Sequence, residues 1–141
     1  MFAPLIQALI DRHGWRLVTR ETLDDFLSAQ DEVVLFFSGD AERLDESSDV
    51  AVILPEILKV FGGRLTAGVV ERDFERELQR RYRFSAFPAL VLLRKGGYLG
   101  AVSRMKDWDV YLGEIADILA REPSEPPPFK LPDGTAARAV Q

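Results

Sequence analysis

The chain has 141 residues and a mass of 15.9 kDa, with 47% hydrophobic and 29% charged residues. That is one globular domain, not a collagen, a coiled coil or a disordered chain, and at this size it buries roughly 68–70% of its unfolded surface. Lys and Arg number 18 against 23 Asp and Glu, a net charge of −5, which argues against a nucleic-acid or anionic-membrane binder and for a basic partner.

Residues 2–13 predict a helix, because Phe2, Leu5, Ile6, Leu9 and Ile10 follow helical spacing and Pro4 suits a first turn. Gly14 is the expected left-handed stop, and His13 beside it sits where a cation would meet the helix dipole. Trp15 to Val18 predicts a short strand. A helix begins near Thr22, with Asp25 completing a capping-box spacing and Leu23, Phe26 and Leu27 on its apolar face. The unbroken apolar run Val33 to Phe37 predicts a buried central strand. Residues 38–49 are polar and predict a loop, with Ser48 or Asp49 capping the helix Val50 to Phe61. Pro55 should kink that helix, and Gly62-Gly63 ends it.

Leu65 to Val70 predicts the next strand, and Phe74 to Tyr82 a charged helix supported by Glu77 and Arg81. Ala89 to Leu93 predicts another buried strand. Gly96-Gly97 predicts a hairpin turn into the antiparallel strand Tyr98 to Ser103. A last helix runs from Asp107 or Trp108 to about Arg121, with Val110, Tyr111, Ile115, Ile118 and Leu119 inward. Trp15 and Trp108 are expected to pack. Residues 122–141 hold five of the eight prolines and predict a flexible tail, dispensable for folding from about Ser124 onward. The predicted organisation is therefore an N-terminal helical extension at 1–14, a domain at 15–121 and the tail at 122–141. Strands alternating with helices imply parallel pairing, with the final hairpin adding an antiparallel edge.

The chain has no cysteine, which removes disulfides, thiolate nucleophiles and dithiol redox chemistry. With His13 the single histidine, a histidine-rich metal site is excluded and acid–base chemistry loses its usual agent. No metal or other cofactor is expected. No apolar run approaches the roughly 20 residues of a membrane span. Met1-Phe2-Ala3-Pro4 lacks the charged-then-apolar pattern of a secretion signal, so a soluble cytoplasmic protein without catalytic activity is expected. Ser47 and Ser48 have no Gly-x-Ser-x-Gly elbow around them. Asp24 and Asp25, adjacent on a helix, diverge by about 100° and make a poor carboxylate pair. Arg80, Arg81 and Arg83 form a basic patch partly neutralised by Glu75 and Glu77.

The order of elements, Val33 to Phe37 before the polar stretch, Pro55 in Leu54-Pro55-Glu56-Ile57-Leu58 and Phe87-Pro88-Ala89 before a strand resemble the thioredoxin fold. The resemblance spans about residues 15–121 and implies an α/β fold with a mixed sheet, helices on both faces and a cis Phe87–Pro88 bond. The Cys-x-x-Cys of that fold is missing where Ser47-Ser48-Asp49-Val50 stands. Together with Gly14-Trp15, Leu23-Asp24-Asp25-Phe26-Leu27 and Gly97-Tyr98-Leu99-Gly100, these features resemble the HyaE/HupG family of cysteine-free accessory proteins for nickel–iron uptake hydrogenases.

That resemblance implies a chaperone of the hydrogenase small-subunit precursor and its twin-arginine signal peptide, acting before export, with other maturation proteins as further partners. Phe87 and Pro88 would present backbone to an extended peptide, or Phe87 is an ordinary core residue. Asp40, Glu42, Asp45, Glu46 and Asp49 face one cation, Arg43. Two readings of that stretch stay open: attraction of a paired-arginine peptide, and a solubilising loop with acids near a helix N-terminus. The alternative function is a cysteine-free thioredoxin-like enzyme or docking protein of another pathway.

Overall fold

A computed structural model describes residues 3–40 and 45–127, the side chain of Asp45 excepted. The elements are α1 (Pro4–Asp11), β1 (Arg16–Val18), α2 (Leu23–Ala29), β2 (Glu32–Phe37), α3 (Asp45–Val60), β3 (Thr66–Val70), α4 (Arg72–Tyr82), β4 (Ala89–Arg94), β5 (Gly97–Ser103) and α5 (Trp108–Leu119). The five strands form one mixed sheet in the order β1-β3-β2-β4-β5.

Strand alternation divides the core in two. Val34, Phe36, Val69, Leu90 and Leu92 face α1, α3 and α5, while Val33, Leu35, Phe37, Val91 and Leu93 face α2 and α4. With both faces covered, β2 is buried at every position, which is why it reads as an unbroken apolar run. Gly68 in β3 lies where β1 and α2 press closest. A Cβ there would stand 2.7 Å from Val18 Cγ2 and 3.1 Å from the Phe26 ring. Gly68→Ala is therefore expected to cost about 1–3 kcal/mol by overpacking, read as a lower urea midpoint at unchanged slope.

Several expectations are corrected. α1 is shorter than 2–13; residues 1 and 2 lie outside the described residues, and Gly14 does take a positive φ of 68°. Thr22 precedes α2 without a side-chain cap; its hydroxyl instead accepts the Thr19 N–H at 2.8 Å. α3 begins at Asp45, not Val50, so Ser48 and Asp49 lie inside it and cap nothing. Its buried face runs Ser47, Val50, Ala51, Leu54, Ile57, so helical periodicity continues into the polar stretch through a serine. The helix continues through Pro55.

Only β1–β3 and β2–β3 are parallel; β4 runs antiparallel to β2 as well as to β5. The hairpin turns on Lys95 and Gly96, whose φ angles of 50° and 82° supply the two positive values of a primed turn. Gly97 already belongs to β5, pressed against Pro123. Of the expected inward face of α5, Val110 is exposed, and so is Trp108, whereas Trp15 packs on the core as expected. The expected tail starts as a docked segment: Ser124 N–H donates to the Tyr98 carbonyl at 2.9 Å, and Arg83 Nη1 to the Pro126 carbonyl at 3.3 Å. Residues 128–141 lie outside the described residues.

Candidate functional site

The C-terminal end of β2 and the N-terminal end of β4 are paired, Phe37 opposite Ala89. The segment leaving β2 and the segment entering β4 therefore emerge at one end of the sheet. The Phe87–Pro88 bond there is cis. Pro88 is buried, and its carbonyl accepts the Arg104 N–H at 2.7 Å. Phe87 is half-buried: its ring meets Phe84 edge-on at 5.3 Å, and the Arg76 guanidinium lies 4.9 Å from its centroid. Among the described residues no hydrogen bond engages the backbone N–H or C=O of Phe87.

The acidic stretch reaches the same place from α3. Glu46 grips the Arg104 guanidinium through both carboxylate oxygens and accepts the Met105 N–H at 3.0 Å. Its hydrogen bond with Arg104, aided by Met105, holds its carboxyl below the ordinary glutamate range. The charge of Glu46 is thus matched within the chain. Asp40 is partly buried just past β2. Glu42 and the side chain of Asp45 lie outside the described residues. Asp49 is exposed.

Two groups at this end escape sequence reasoning. Arg104, at a positive φ of 71°, joins three elements: its N–H reaches Pro88, its side chain Glu46, and its carbonyl accepts the Tyr111 hydroxyl at 3.0 Å. No local pattern marks an arginine just past a strand as such a junction. Glu75 is 3% exposed and accepts the Gly39 N–H at 3.1 Å, with Arg72 Nε 3.2 Å from its other oxygen. Burial pushes its carboxyl up to about 7 against the pull of Gly39, Arg72 and Ser38. Helical spacing does hold a signal for it, since Glu75 borders the buried row Phe74, Leu78, Tyr82.

From the other side, the Ser47 hydroxyl donates to the Ser38 carbonyl, so Ser38 and Gly39 are held between α3 and α4. Ser47 and His13 do not pair as nucleophile and base: Ser47 is spent on that carbonyl, and His13 lies beside Trp15 past the end of α1. No buried side-chain polar atom among the described residues lacks a partner. The described residues hold no cluster of His, Asp and Glu suited to a metal, and no helix long and apolar enough to cross a membrane. What this end of the molecule offers is a half-buried aromatic ring with open backbone beside the acidic start of α3.

Comparison with known proteins gives the fold and the family. Mitochondrial thioredoxin 3 from Saccharomyces cerevisiae superposes with a TM-score of 0.60 over 74% of this chain and 96% of that one, at 13% identity, a likeness of fold alone. The crystal structure described as hydrogenase expression/formation protein hupG from Rhodopseudomonas palustris is 40% identical and has a TM-score of 0.53, covering 74% of this chain and 95% of that one. Hydrogenase expression/formation protein HoxO of Azotobacter vinelandii is 45% identical over 90% of this chain and 85% of its own length. HoxO of Cupriavidus necator is 38% identical over 95% and 84%. The family model for hydrogenase-1 expression protein HyaE matches residues 5–111. The chain belongs to the HyaE family and carries a thioredoxin-like fold without the cysteines.

Proposed function

We propose that this protein is a non-catalytic chaperone of nickel–iron hydrogenase maturation that binds the small-subunit precursor and its twin-arginine signal peptide in the cytoplasm before export. Relatives named as hydrogenase expression/formation proteins support the role in hydrogenase maturation. The observation that carries the proposed binding is the half-buried Phe87, with unengaged backbone, one residue from the Pro88–Arg104–Glu46 junction that brings the acidic start of α3 alongside.

A peptide with paired arginines followed by an apolar stretch matches both features. The apolar part lies on Phe87 and pairs with its backbone in extended form. The arginines face the carboxylates of residues 40–49 other than Glu46, which Arg104 already holds. Exposed ion pairs contribute only about 0.2–1 kcal/mol each, so the acids act mainly on the association rate and its salt dependence.

The structure separates two tests. Asp40→Asn, Glu42→Gln and Asp45→Asn together are expected to slow association of the precursor and flatten its dependence on ionic strength, measured by stopped flow. Glu46→Gln is kept apart, because it breaks the tie to Arg104 and disturbs the surface itself. If the triple variant folds normally and binds the precursor at an unchanged rate and salt dependence, the acids only solubilise. If the precursor without its signal peptide binds equally well, the signal peptide is not the ligand.

A further inference from the structure

At the far edge of the sheet, β5 has a neighbour on one side only. Arg104 N–H bonds to the Pro88 carbonyl, and β5 pairs with β4 as Ala89 with Ser103 and Val91 with Ala101. Hydrogen-bonded and non-bonded pairs alternate in an antiparallel ladder, so the backbone groups of Ala101 and Ser103 point away from β4. No hydrogen bond among the described residues engages them. They form the floor of a slot of about 480 Å³, with Arg83 and Phe84 from the end of α4 on one wall and Lys106 and Glu114, beside and on α5, on the other.

We propose that this edge docks an extended acidic segment of a partner protein, which adds to β5 as a sixth strand between Arg83 and Lys106. The inference is independent of the Phe87 surface.

The occupant follows from geometry and charge. An added strand sends successive side chains to opposite faces of the sheet. Arg83 and Lys106 stand on opposite faces, so a partner with carboxylates at adjacent positions meets both. Arg104 at the rim is already held by Glu46, so the cations that meet the partner are Arg83 and Lys106, against the single lining carboxylate of Glu114. This is a cationic slot on a chain of net charge −5. A second copy would bring the same cations to the same edge and be repelled. A nucleic acid would match the charge but has no amide ladder to pair with Ala101 and Ser103.

The chain already shows how the edge accepts a strand. Its own segment 123–127 lies along β5, with Pro123 against Gly97, Ser124 N–H on the Tyr98 carbonyl and Pro127 at the slot. Pro123, Pro126 and Pro127 have no N–H to donate, so this segment makes a poor ladder. It leaves Ala101 and Ser103 open to a better one.

The test uses the full chain and two blocked ten-residue probe peptides. One is built of Thr and Val with adjacent Glu pairs; the other has Lys in place of every Glu. At low salt the Glu peptide is expected to shift the Ala101 and Ser103 amide resonances and to bind about tenfold tighter than the Lys peptide. Lys106→Glu should abolish that preference, and Glu114→Lys should increase it. Both sites lie outside the buried core, so neither variant threatens folding. Ser124→Pro, which removes the bond to Tyr98, should tighten the Glu peptide severalfold by loosening the chain's own segment.

Equal binding of the two peptides overturns the proposal. So does binding of neither by the Ser124→Pro variant, or shifts confined to residues around Phe87. A decathymidylate that shifts the same amides more strongly than the Glu peptide would assign the slot to nucleic acid. A concentration-dependent dimer that shifts them without peptide would assign it to a second copy.

Discussion

Glu32→Ala is expected to lower the unfolding free energy by about 3 kcal/mol, the lower end of the effect of breaking a buried ion pair because Arg64 reaches solvent. Glu32 opens β2 and is 6% exposed. It holds Arg64 from one side and Arg94, its partner across the ladder, from the other, with Arg94 Nε 3.0 Å from Oε2. Arg94 in turn donates to the Leu119 and Arg121 carbonyls at 2.6 and 2.8 Å, so it satisfies the acceptors at the end of α5. Alanine would leave two guanidinium groups facing each other and loosen the end of α5 together with the start of β2.

The pH dependence of that site has a definite sign. The hydrogen bond from Arg64, joined by Arg94, holds the Glu32 carboxyl below its ordinary value despite burial. A depressed native pKa gives stability that is present above the unfolded value and lost as pH falls through the folded one. Urea titrations of wild type and Glu32→Ala should therefore converge below the ordinary glutamate range and stand apart at neutral pH. A gap that does not narrow on acidification would show that Glu32 acts through packing and not through charge.

The parts of the fold that declare themselves in the sequence have a local cause. Val33 to Phe37 reads as a central strand because both of its faces are covered, and the helices read through the spacing of their apolar residues. What fails is what local patterns cannot carry. The antiparallel pairing of β4 with β2 depends on where α4 returns the chain, which no spacing encodes. The first turn of α3 is hidden because Ser47, its inward residue, is polar and finds its partner in Ser38. The turn falls on Lys95-Gly96, one residue before the Gly96-Gly97 that the sequence suggests, because Gly97 serves the contact with Pro123 and not backbone freedom.

The candidate site divides the same way. Phe87-Pro88 was legible through the resemblance, and the acidic stretch through composition. That Glu46 is matched by Arg104, 58 residues on, belongs to tertiary structure. So does the placement of Glu75, which composition alone sets beside Glu77 as one more surface acid. Glu77 does lie at the surface, paired with Arg20 at 2.9 Å, two residues on from the buried Glu75.

Glu75→Gln is expected to change how stability depends on pH more than any other single substitution at this end of the molecule. Burial raises the Glu75 carboxyl from 4.5 to about 7, and Arg72 is the one charged side chain that offsets it. A raised native pKa means the folded chain binds a proton that the unfolded chain releases. The stabilisation is complete below the unfolded value and is lost as pH climbs through the folded one. Wild type should therefore lose roughly 3 kcal/mol from this group between pH 4.5 and 7, and Gln, which does not titrate, should lose none of it. Glu32 and Glu46 pull in the opposite sense at lower pH, but they are common to both proteins and cancel in the difference. Gln keeps an oxygen for the Gly39 N–H, so the bend after β2 should persist. The measurement is the difference in unfolding free energy between wild type and Glu75→Gln across that range. A difference that falls steadily with rising pH supports the enclosed carboxyl. A flat difference would mean that water reaches Glu75 and that its carboxyl titrates as it does in the unfolded chain.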